Sequence, residues 1–277
     1  MVDHKTFLDR ISFITAHFYD FEWTSYLIHQ IYSNTDINRI YEILIINQDR
    51  TNDSRHKLME ICPKANILEF PLSEKHFIKK GHDHAFVLNE AVKNAKGDLV
   101  CIFDSDCHPF SSQWLKICDD ILRNFDAIVA VDTGKYYRDK LILSHPCFML
   151  LKSDQISPPL RFDEHLFDQN FDTGRLIGQQ LMDSGRKVFF ACPARGFEGR
   201  YGCIYLDSIY HHEKGSYAGG GERLLRQINW QQEYFKRIIL TKHRYSLTIL
   251  ETVHYILKET VFERLSCFIR KPFRKEK

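Results

Sequence analysis

The sequence predicts an α/β fold built around a mostly parallel central sheet. Short apolar runs alternate with amphipathic helical patterns over residues 11–131. The run Leu99–Phe103 is apolar or β-compatible throughout, which is typical of a strand covered by helices on both faces. This alternation predicts right-handed βαβ units, and 277 residues are enough for one such domain with an appendage.

The predicted elements follow in chain order. Apolar runs predict strands at 11–15, 41–46, 65–70, 99–103, 127–131, 147–152 and 187–192. Helical spacing of apolar residues predicts helices around 23–31, 84–96, 114–122 and 173–184, with Gly97 and Gly185 ending the second and the last of them. Polar loops are expected at 16–20 and 47–54. We expect residues 1–221 to form the main domain and 222–277 to form a C-terminal helical extension.

The composition excludes several classes of protein. The net charge is +2, which argues against a general nucleic-acid binder. The eight cysteines include no Cys-X-X-Cys pair, and Cys101 and Cys118 lie in apolar patterns as buried free thiols do, so we expect a reducing, cytoplasmic location. Neither a signal peptide nor a membrane span is expected, because no stretch approaches about 20 apolar residues.

Two carboxylates, Asp104 and Asp106, follow the strand Leu99–Phe103 directly. Buried hydrocarbon does not tolerate ionised carboxylates without partners, so both should lie at the carboxyl end of the strand, where open α/β sheets bind ligands. Two hard oxygen ligands at such a place suit Mg²⁺ or Mn²⁺ shared with a substrate diphosphate. The alternative is an acidic turn without a metal, because Asp and Ser favour turns.

A series of small, polar and acidic residues leads up to this turn. Its members are Gly81, Ala85, Leu88-Asn89, Ala95, Gly97-Asp98 and Phe103-Asp104-Ser105-Asp106. The series resembles the central block of family 2 glycosyltransferases with the GT-A fold, and weaker likeness extends over 43–53 and 162–188. The resemblance implies a nucleotide-binding sandwich around a mostly parallel sheet. It also implies metal-dependent transfer of a sugar, with inversion at the anomeric carbon, from a nucleotide-sugar to a saccharide or lipid-linked acceptor.

The resemblance also implies where the donor would bind. Asp104 and Asp106 would hold Mn²⁺ or Mg²⁺ and the diphosphate, with Ser105 between them and Gly81 in the preceding loop. The nucleobase would lie between two loops that contribute Ala16, His17, Tyr19, Asn47 and Asp49.

The second of these loops departs from the family pattern. The chain reads Asn47-Gln48-Asp49 where the family usually shows Asp-Asp-Gly. A carboxylate such as Asp49 can accept a hydrogen bond from uracil N3–H, so a UDP-sugar is the first expectation for the donor. The alternative is a solvated turn with no role in binding.

The catalytic base is expected shortly before the helix over 173–184. An inverting transferase needs a carboxylate to take the proton of the acceptor hydroxyl. Asp172 is the first candidate, with Asp168 and Asp163 in reserve. The alternative for Asp172 is a helix N-cap, which Asp serves well.

A late loop contains candidates for the remaining contacts to the metal and the diphosphate. By resemblance, His211 or His212 would complete the metal site, and Lys214 would contact a phosphate as a point charge. The alternative for the two histidines is a structural role in the core.

The C-terminal segment 262–277 mixes apolar and basic residues. A basic amphipathic segment can lie on an anionic membrane surface, which would suit a lipid-linked acceptor and a peripheral position at the inner face of the membrane. The alternative is a solvated helix whose basic end suits the helix dipole.

Three other functions are alternatives to sugar transfer. A nucleotidyltransferase would need a Gly-rich, basic phosphate loop near the first strand, and residues 16–20 contain none. A phosphatase of the Asp-X-Asp-X-Thr type would need Thr where the chain has His108. A catalytically inactive nucleotide- or sugar-binding scaffold is favoured by Asn47-Gln48 and by the lack of Glu before Asp172, whereas the presence of both Asp104 and Asp106 argues against it.

Overall fold

The protein is described by a computed structural model. It covers residues 9–18, 20–49, 51, 53–69, 82–131, 137–138, 141–156, 159–164, 173–195 and 202–212. The predicted boundary between residues 221 and 222, the extension 222–277 and its basic segment 262–277 lie outside the described residues.

Strands and helices alternate from Ile11 to Phe103, and strands predominate in the described residues after Phe103. The strands are β1 (Ile11–His17), β2 (Ile40–Asn47), β3 (Asn66–Glu69), β4 (Leu99–Phe103), β5 (Cys107–Pro109), β6 (Ala127–Val131), β7 (Tyr137–Arg138), β8 (Leu141–Ile142), β9 (Ser144–Lys152), β10 (Val188–Ala191), β11 (Ala194–Arg195), β12 (Cys203–Tyr205) and β13 (Ile209–His211). The α-helices are α1 (Phe21–Asn34), α2 (Ser54–Ile61), α3 (His82–Asn94), α4 (Trp114–Leu122) and α5 (Ile177–Asp183). Short 3₁₀ helices lie at Ile37–Arg39 and Ser153–Gln155.

Seven strands form the central sheet, in the order β10-β6-β9-β4-β1-β2-β3. All neighbouring pairs are parallel except those of β9, which runs antiparallel to both β4 and β6. The prediction of an α/β fold with a mostly parallel sheet is therefore confirmed.

The strand order reverses direction at β1. From β1 the chain adds β2 and then β3 on one side, whereas β4 joins β1 on the other side. The carboxyl ends of β1 and β4 thus flank a topological switch point, where open α/β sheets bind their ligands. Asp104 and Asp106 follow β4, and His17 ends β1, so the sheet itself brings the two predicted loops to one crevice.

The core lies in two layers, one on each face of the sheet. Leu99, Cys101 and Phe103 face the cluster that packs under α1, α2 and α4. Val100 and Ile102 face the opposite cluster, which packs under α3 and α5. Successive strand residues point to opposite faces, so the uninterrupted apolar run of β4 reflects burial on both sides.

A second, four-stranded antiparallel sheet has the order β11-β12-β13-β5. It places His211 of β13 opposite Cys107 of β5, directly after the Asp104–Asp106 turn. The turn between β12 and β13 holds Leu206 and Asp207 at φ of 51° and 54°, the left-handed region that tight hairpin turns require. Sequence reading did not find these short strands, because each has only two or three residues.

Several local predictions need correction. Residues 54–61 form α2, which has few buried residues and therefore no clear apolar period; Leu58 is fully buried and Ser54 nearly so. Strand β1 continues through His17, beyond the predicted end at 15, and β9 begins at Ser144 rather than at 147, so His145 lies in the strand. Helix α5 begins at Ile177 rather than at 173.

Gly97 has a different role from the predicted one. Helix α3 ends at Asn94, and a Cβ at Gly97 would lie 2.6 Å from the Ser12 backbone nitrogen and 2.8 Å from the Arg10 carbonyl oxygen. The residue is therefore small because β1 passes close to it. Gly185 does end its helix as predicted, with a φ of +82° and an N–H that donates to the Met182 carbonyl.

Candidate active site

The turn that carries Asp104, Ser105 and Asp106 is held by backbone hydrogen bonds on three sides. The Asp104 N–H donates to the Cys147 carbonyl of β9 at 3.0 Å, and the Cys107 N–H donates to the Asp104 carbonyl at 2.9 Å. The His212 N–H donates to the Asp106 carbonyl at 2.9 Å. The two carboxylates are therefore presented by a fixed backbone at the carboxyl edge of the sheet.

His211 completes a group that can hold a metal ion. One ligand atom each from Asp104, Asp106 and His211 all lie within 4.8 Å of one another. His211 Nε2 is 3.5 Å from Asp106 Oδ1, and the side chains of both residues are less than one-tenth exposed. Two carboxylates and an imidazole are a donor set that suits Mn²⁺ and also accepts Mg²⁺.

His212 has a different environment from its neighbour. Its ring packs against Trp23 with centroids 4.9 Å apart, and its Nδ1 lies 3.1 Å from the Tyr210 hydroxyl. His108 lies in the same aromatic cluster, where burial lowers its pKa to about 4. Within the described residues, the metal-capable group around the carboxylates includes His211 and not His212.

Two further residues that sequence reading missed approach the carboxylates. His84, near the start of α3, places Nε2 3.5 Å from Asp104 Oδ1. Asp20 caps α1 by accepting a hydrogen bond from the Trp23 N–H at 3.3 Å, while its Oδ2 is buried without a hydrogen-bond partner among the described residues. From the sequence, His84 was predicted only as the start of a helix and Asp20 only as the end of a polar loop, since nothing in their local pattern marks a site residue.

Burial and like charge disturb the acids of the site. Burial raises the pKa of Asp20 to about 7 against a hydrogen bond from the Trp23 N–H, and the Asp106 charge raises it further. Burial also raises the pKa of Asp104, although the charges of His84 and His145 oppose it. Strongly perturbed acids in a crevice are typical of functional sites.

The pKa of His211 is raised as well, which favours the charged form of a histidine, whereas a raised pKa favours the neutral form of an acid. Burial would lower its pKa, but the charges of Cys147 and Asp106 raise it well above the usual value. A metal ion binds only the neutral imidazole, so metal binding at His211 would depend on pH.

The predicted nucleobase loops meet beside the same crevice. His17 pairs with Asn47 in the β1–β2 register, and the Gln48 N–H donates to the His17 carbonyl at 2.9 Å. Burial lowers the pKa of His17 to about 4 although Asp49 opposes it, so His17 is neutral at pH 7. Its Nδ1 lies 2.8 Å from Thr24 Oγ1, and its Nε2 lies 3.9 Å from Asp49 Oδ2. Ala16 packs partly buried beside it.

Asn47 and Asp49 are held by their own neighbours. Asn47 Nδ2 donates to Ser54 Oγ at 2.8 Å and to Glu69 Oε1 at 3.1 Å. Asp49 Oδ1 accepts from the Thr51 N–H and hydroxyl at 2.8 and 2.9 Å. The Asp49 side chain is only 1% exposed, so a base can reach it only if residues around it move.

Several expected site residues lie outside the described part of the chain. They are Tyr19, Gly81, Asp168, Asp172 and Lys214. The reserve base Asp163 is described: it accepts from Asn89 Nδ2 and Arg161 Nη2, both at 2.9 Å. Burial would raise the pKa of Asp163, but these hydrogen bonds lower it below the usual value, which makes its carboxylate a weaker base than a free one.

The sheet order and the acidic turn at its switch point are typical of an α/β enzyme that binds a nucleotide with a divalent metal. The sequence model of glycosyl transferase family 2 matches residues 20–176, more than half of the chain. The protein therefore belongs to glycosyl transferase family 2. No curated protein sequence matches the chain.

Solved glycosyltransferases share the fold. A mannosyltransferase from Pyrobaculum calidifontis, solved with GDP-Man and Mn²⁺, has a TM-score of 0.51 at 15% identity, over 70% of this chain and 59% of that chain. TarS 1–349 from S. aureus has a TM-score of 0.46 at 14% identity, over 65% of this chain and 57% of that one. Glucosyl-3-phosphoglycerate synthase from Mycobacterium tuberculosis, solved with Mn²⁺, UDP and phosphoglyceric acid, has a TM-score of 0.45 at 12% identity. This likeness covers 66% of this chain and 68% of that one.

The likeness to the mannosyltransferase, together with the mostly parallel seven-stranded sheet, shows the GT-A fold. The chain spans 59% of the mannosyltransferase chain and 57% of the TarS chain. None of the helices in the described part of the chain has the length and apolar character that a membrane span needs.

Proposed function

We propose that the protein transfers a sugar from a nucleotide-sugar, with UDP-sugars favoured, to a saccharide or lipid-linked acceptor, using Mn²⁺ or Mg²⁺. The observation that carries this proposal is the meeting of Asp104, Asp106 and His211 within 4.8 Å at the switch point of the sheet. Family membership supports the reaction class.

The metal site follows from the donor set. Asp106 and His211 face each other in a buried position, and Asp104 lies at the rim with one-fifth of its side chain exposed. We therefore assign Asp106 and His211 as direct ligands and Asp104 as the residue between metal and donor. A bound divalent ion neutralises the charge that develops on the departing nucleoside diphosphate.

A side chain and several backbone groups hold the two carboxylates of the turn in place. His84 lies beside Asp104 and holds a ring nitrogen 3.5 Å from its carboxylate, which orients that carboxylate toward the crevice. The backbone hydrogen bonds around the turn fix both acids before the donor binds, so little reorganisation is needed.

The donor base is proposed to lie at the His17 and Asp49 end of the crevice. Asp49 Oδ1 is engaged by Thr51, which leaves Oδ2 as the acceptor for uracil N3–H once the surrounding residues open. The mannosyltransferase of like fold was solved with GDP-Man, so guanosine donors belong in any test of this preference.

Inversion at the anomeric carbon, with Asp172 as base and Asp168 in reserve, remains part of the proposal. The same holds for Lys214 as a phosphate contact, for Tyr19 and Gly81 in the donor loops, and for a cytoplasmic enzyme whose segment 262–277 contacts the membrane surface. The base, phosphate and loop assignments come from the family resemblance, in which a carboxylate before the helix over 173–184 takes the acceptor proton. The cytoplasmic location comes from the cysteine pattern, and the membrane contact comes from the basic amphipathic pattern of 262–277.

A thermal-shift panel tests the proposal. The full chain is heated with UDP, GDP, UDP-sugars and GDP-mannose, each with and without Mn²⁺, because a ligand that binds only the native state raises the melting temperature. We expect a rise that needs both Mn²⁺ and a nucleoside diphosphate. Asp106→Asn should remove this rise, while Asp120→Asn, a matched change at an exposed acid on α4, should keep it.

No response from the wild-type chain to any nucleotide with Mn²⁺ would contradict the proposal and favour the inactive scaffold. An equal response in the wild-type chain and in Asp106→Asn would contradict the metal assignment. Product analysis with the responding donor then separates transfer from binding alone.

A further inference from the structure

A second group of metal-capable side chains shares His211 with the carboxylate group. One ligand atom each from His145, Cys147 and His211 all lie within 4.8 Å of one another. His145 and Cys147 are two residues apart in β9 and therefore point to the same face of that strand. His211 comes from β13 of the second sheet, and its ring centroid is 5.2 Å from that of His145.

The donor chemistry of this group differs from that of the carboxylate site. Imidazole and thiolate ligands suit Zn²⁺ and other softer ions, whereas carboxylate oxygens suit Mg²⁺ and Mn²⁺. Two histidines and one cysteine with an open fourth position form a known type of zinc ligand set. The Cys147 side chain is fully buried and His145 is partly exposed, so an ion would enter past His145.

One existing contact bears on the affinity of this group. The Cys147 N–H donates to His145 Nδ1 at 3.1 Å, so the lone pair of that nitrogen points toward Cys147. An ion at Nδ1 would replace this hydrogen bond, since one lone pair serves one partner. We therefore expect weaker binding than at a structural zinc site.

The two metal-capable groups share His211. A neutral imidazole has one nitrogen with a free lone pair, so His211 can serve one ion at a time. We propose that His145, Cys147 and His211 form a second site for a soft divalent ion such as Zn²⁺, and that this ion withdraws His211 from the Mn²⁺ or Mg²⁺ site. The zinc site stands on its own geometry, whereas the competition rests on the proposed function.

The zinc site is tested with Zn²⁺ alone, on the full chain in a thiol-free reductant and without nucleotide. Isothermal titration is expected to show one Zn²⁺ per chain. Cys147→Ser and His145→Asn should each weaken binding at least tenfold, while Asp104→Asn and the matched control Cys192→Ser should stay within about twofold of the wild-type chain. Co²⁺ in place of Zn²⁺ should give a thiolate-to-cobalt absorption band that Cys147→Ser abolishes.

Two results would overturn the site. Zn²⁺ binding unchanged in both Cys147→Ser and His145→Asn would exclude these ligands. Binding lost in Asp104→Asn but kept in the other two would place Zn²⁺ on the carboxylates. If Cys147→Ser does not fold, His145→Asn decides, because Asn Oδ1 can still accept the Cys147 N–H.

The competition is tested by repeating the Zn²⁺ titration at rising Mn²⁺. The apparent dissociation constant for Zn²⁺ should rise with Mn²⁺ in the wild-type chain and stay constant in Asp106→Asn, which lacks a direct Mn²⁺ ligand. A constant value in the wild-type chain would overturn the competition. A chain that fails to respond to nucleotides but loses Zn²⁺ binding on Cys147→Ser would refute the proposed function and leave the zinc site standing.

Discussion

The two ends of the central sheet differ in whether their buried polar atoms have hydrogen-bond partners. At the amino end, Arg39 makes a two-pronged pair with Asp119 at 2.9 and 3.0 Å and also donates to the Asp9 carbonyl. At the carboxyl end, Thr15 Oγ1, His17 Nε2 and Asp20 Oδ2 are buried without a hydrogen-bond partner among the described residues.

The difference separates stability from function within one sheet. The amino end also ties Ser12, Glu42 and the Lys96–Gly97 backbone into one hydrogen-bonded group. Buried polar atoms are normally paired, and exceptions concentrate where a ligand or a reaction uses them. The amino end therefore stabilises the fold, while the carboxyl end keeps polar atoms available at a cost in stability.

The largest expected loss of stability comes from a substitution at the amino end of the sheet. Gly97→Ala would place a methyl group 2.6 Å from the Ser12 backbone nitrogen, which β1 cannot avoid without moving. We expect a loss of about 3–5 kcal/mol in the free energy of unfolding, measured by urea denaturation. Gly185→Ala is the matched control: its Cβ meets nothing within 4 Å, and only its φ of +82° carries a cost, about 1–2 kcal/mol. Equal losses in the two variants would contradict the close-approach account.

The second expected effect is a dependence of stability on pH at the carboxyl end. The native pKa of Asp20 is raised from 3.8 to about 7, so the native state holds this proton where the unfolded state has lost it. Stability should therefore fall as the pH rises from about 4 to about 7 and stay low above that, by about 2–4 kcal/mol in the metal-free protein.

Asp20→Asn should remove this dependence, because Asn cannot ionise and still caps α1. The variant should match the wild-type chain near pH 4 and exceed it at pH 8 in urea midpoints. Glu60→Gln, at an exposed position on α2, is the control and should leave the profile unchanged. A wild-type profile in Asp20→Asn would refute the assignment.

The smallest expected effects come from neutralising one acid at each end of the sheet and comparing the two changes in stability. Asp119→Asn removes the charge partner of Arg39, whose side chain is only 6% exposed, and should cost about 1–3 kcal/mol. Asp106→Asn relieves repulsion among Asp20, Asp104 and Asp106, opposed by loss of the contact with His211, so its stability should change by less than about 1 kcal/mol. Thermal melts of the two variants without metal check the contrast, and a larger loss in Asp106→Asn would reverse it.

The sequence predicted the parts of this arrangement that depend on long or strongly patterned segments. The apolar run of β4 and the acids that follow it were sufficient to place Asp104 and Asp106 at the carboxyl edge. Family resemblance added the late histidine pair. The structure distinguishes the two, since His211 faces Asp106 while His212 packs on Trp23.

Other parts could not be predicted because they depend on contacts between distant segments. His84, His145 and Cys147 reach the acids only through the packing of α3 and β9 beside β4. The strands of the small sheet are too short to show a period, although they deliver His211 to the site. Gly97 was assigned to a helix end because sequence spacing shows the nearby helix but not the backbone of β1 that passes beside it.

The central claim is that Asp106 and His211 hold a divalent cation beside a nucleotide. The most direct measurement is anomalous diffraction from crystals of the full chain soaked with Mn²⁺ and UDP. The account predicts one manganese peak within about 2.0–2.6 Å of an Asp106 carboxylate oxygen and near His211, in contact with the diphosphate. A manganese peak elsewhere, with UDP bound away from the Asp104–Asp106 turn, would contradict it.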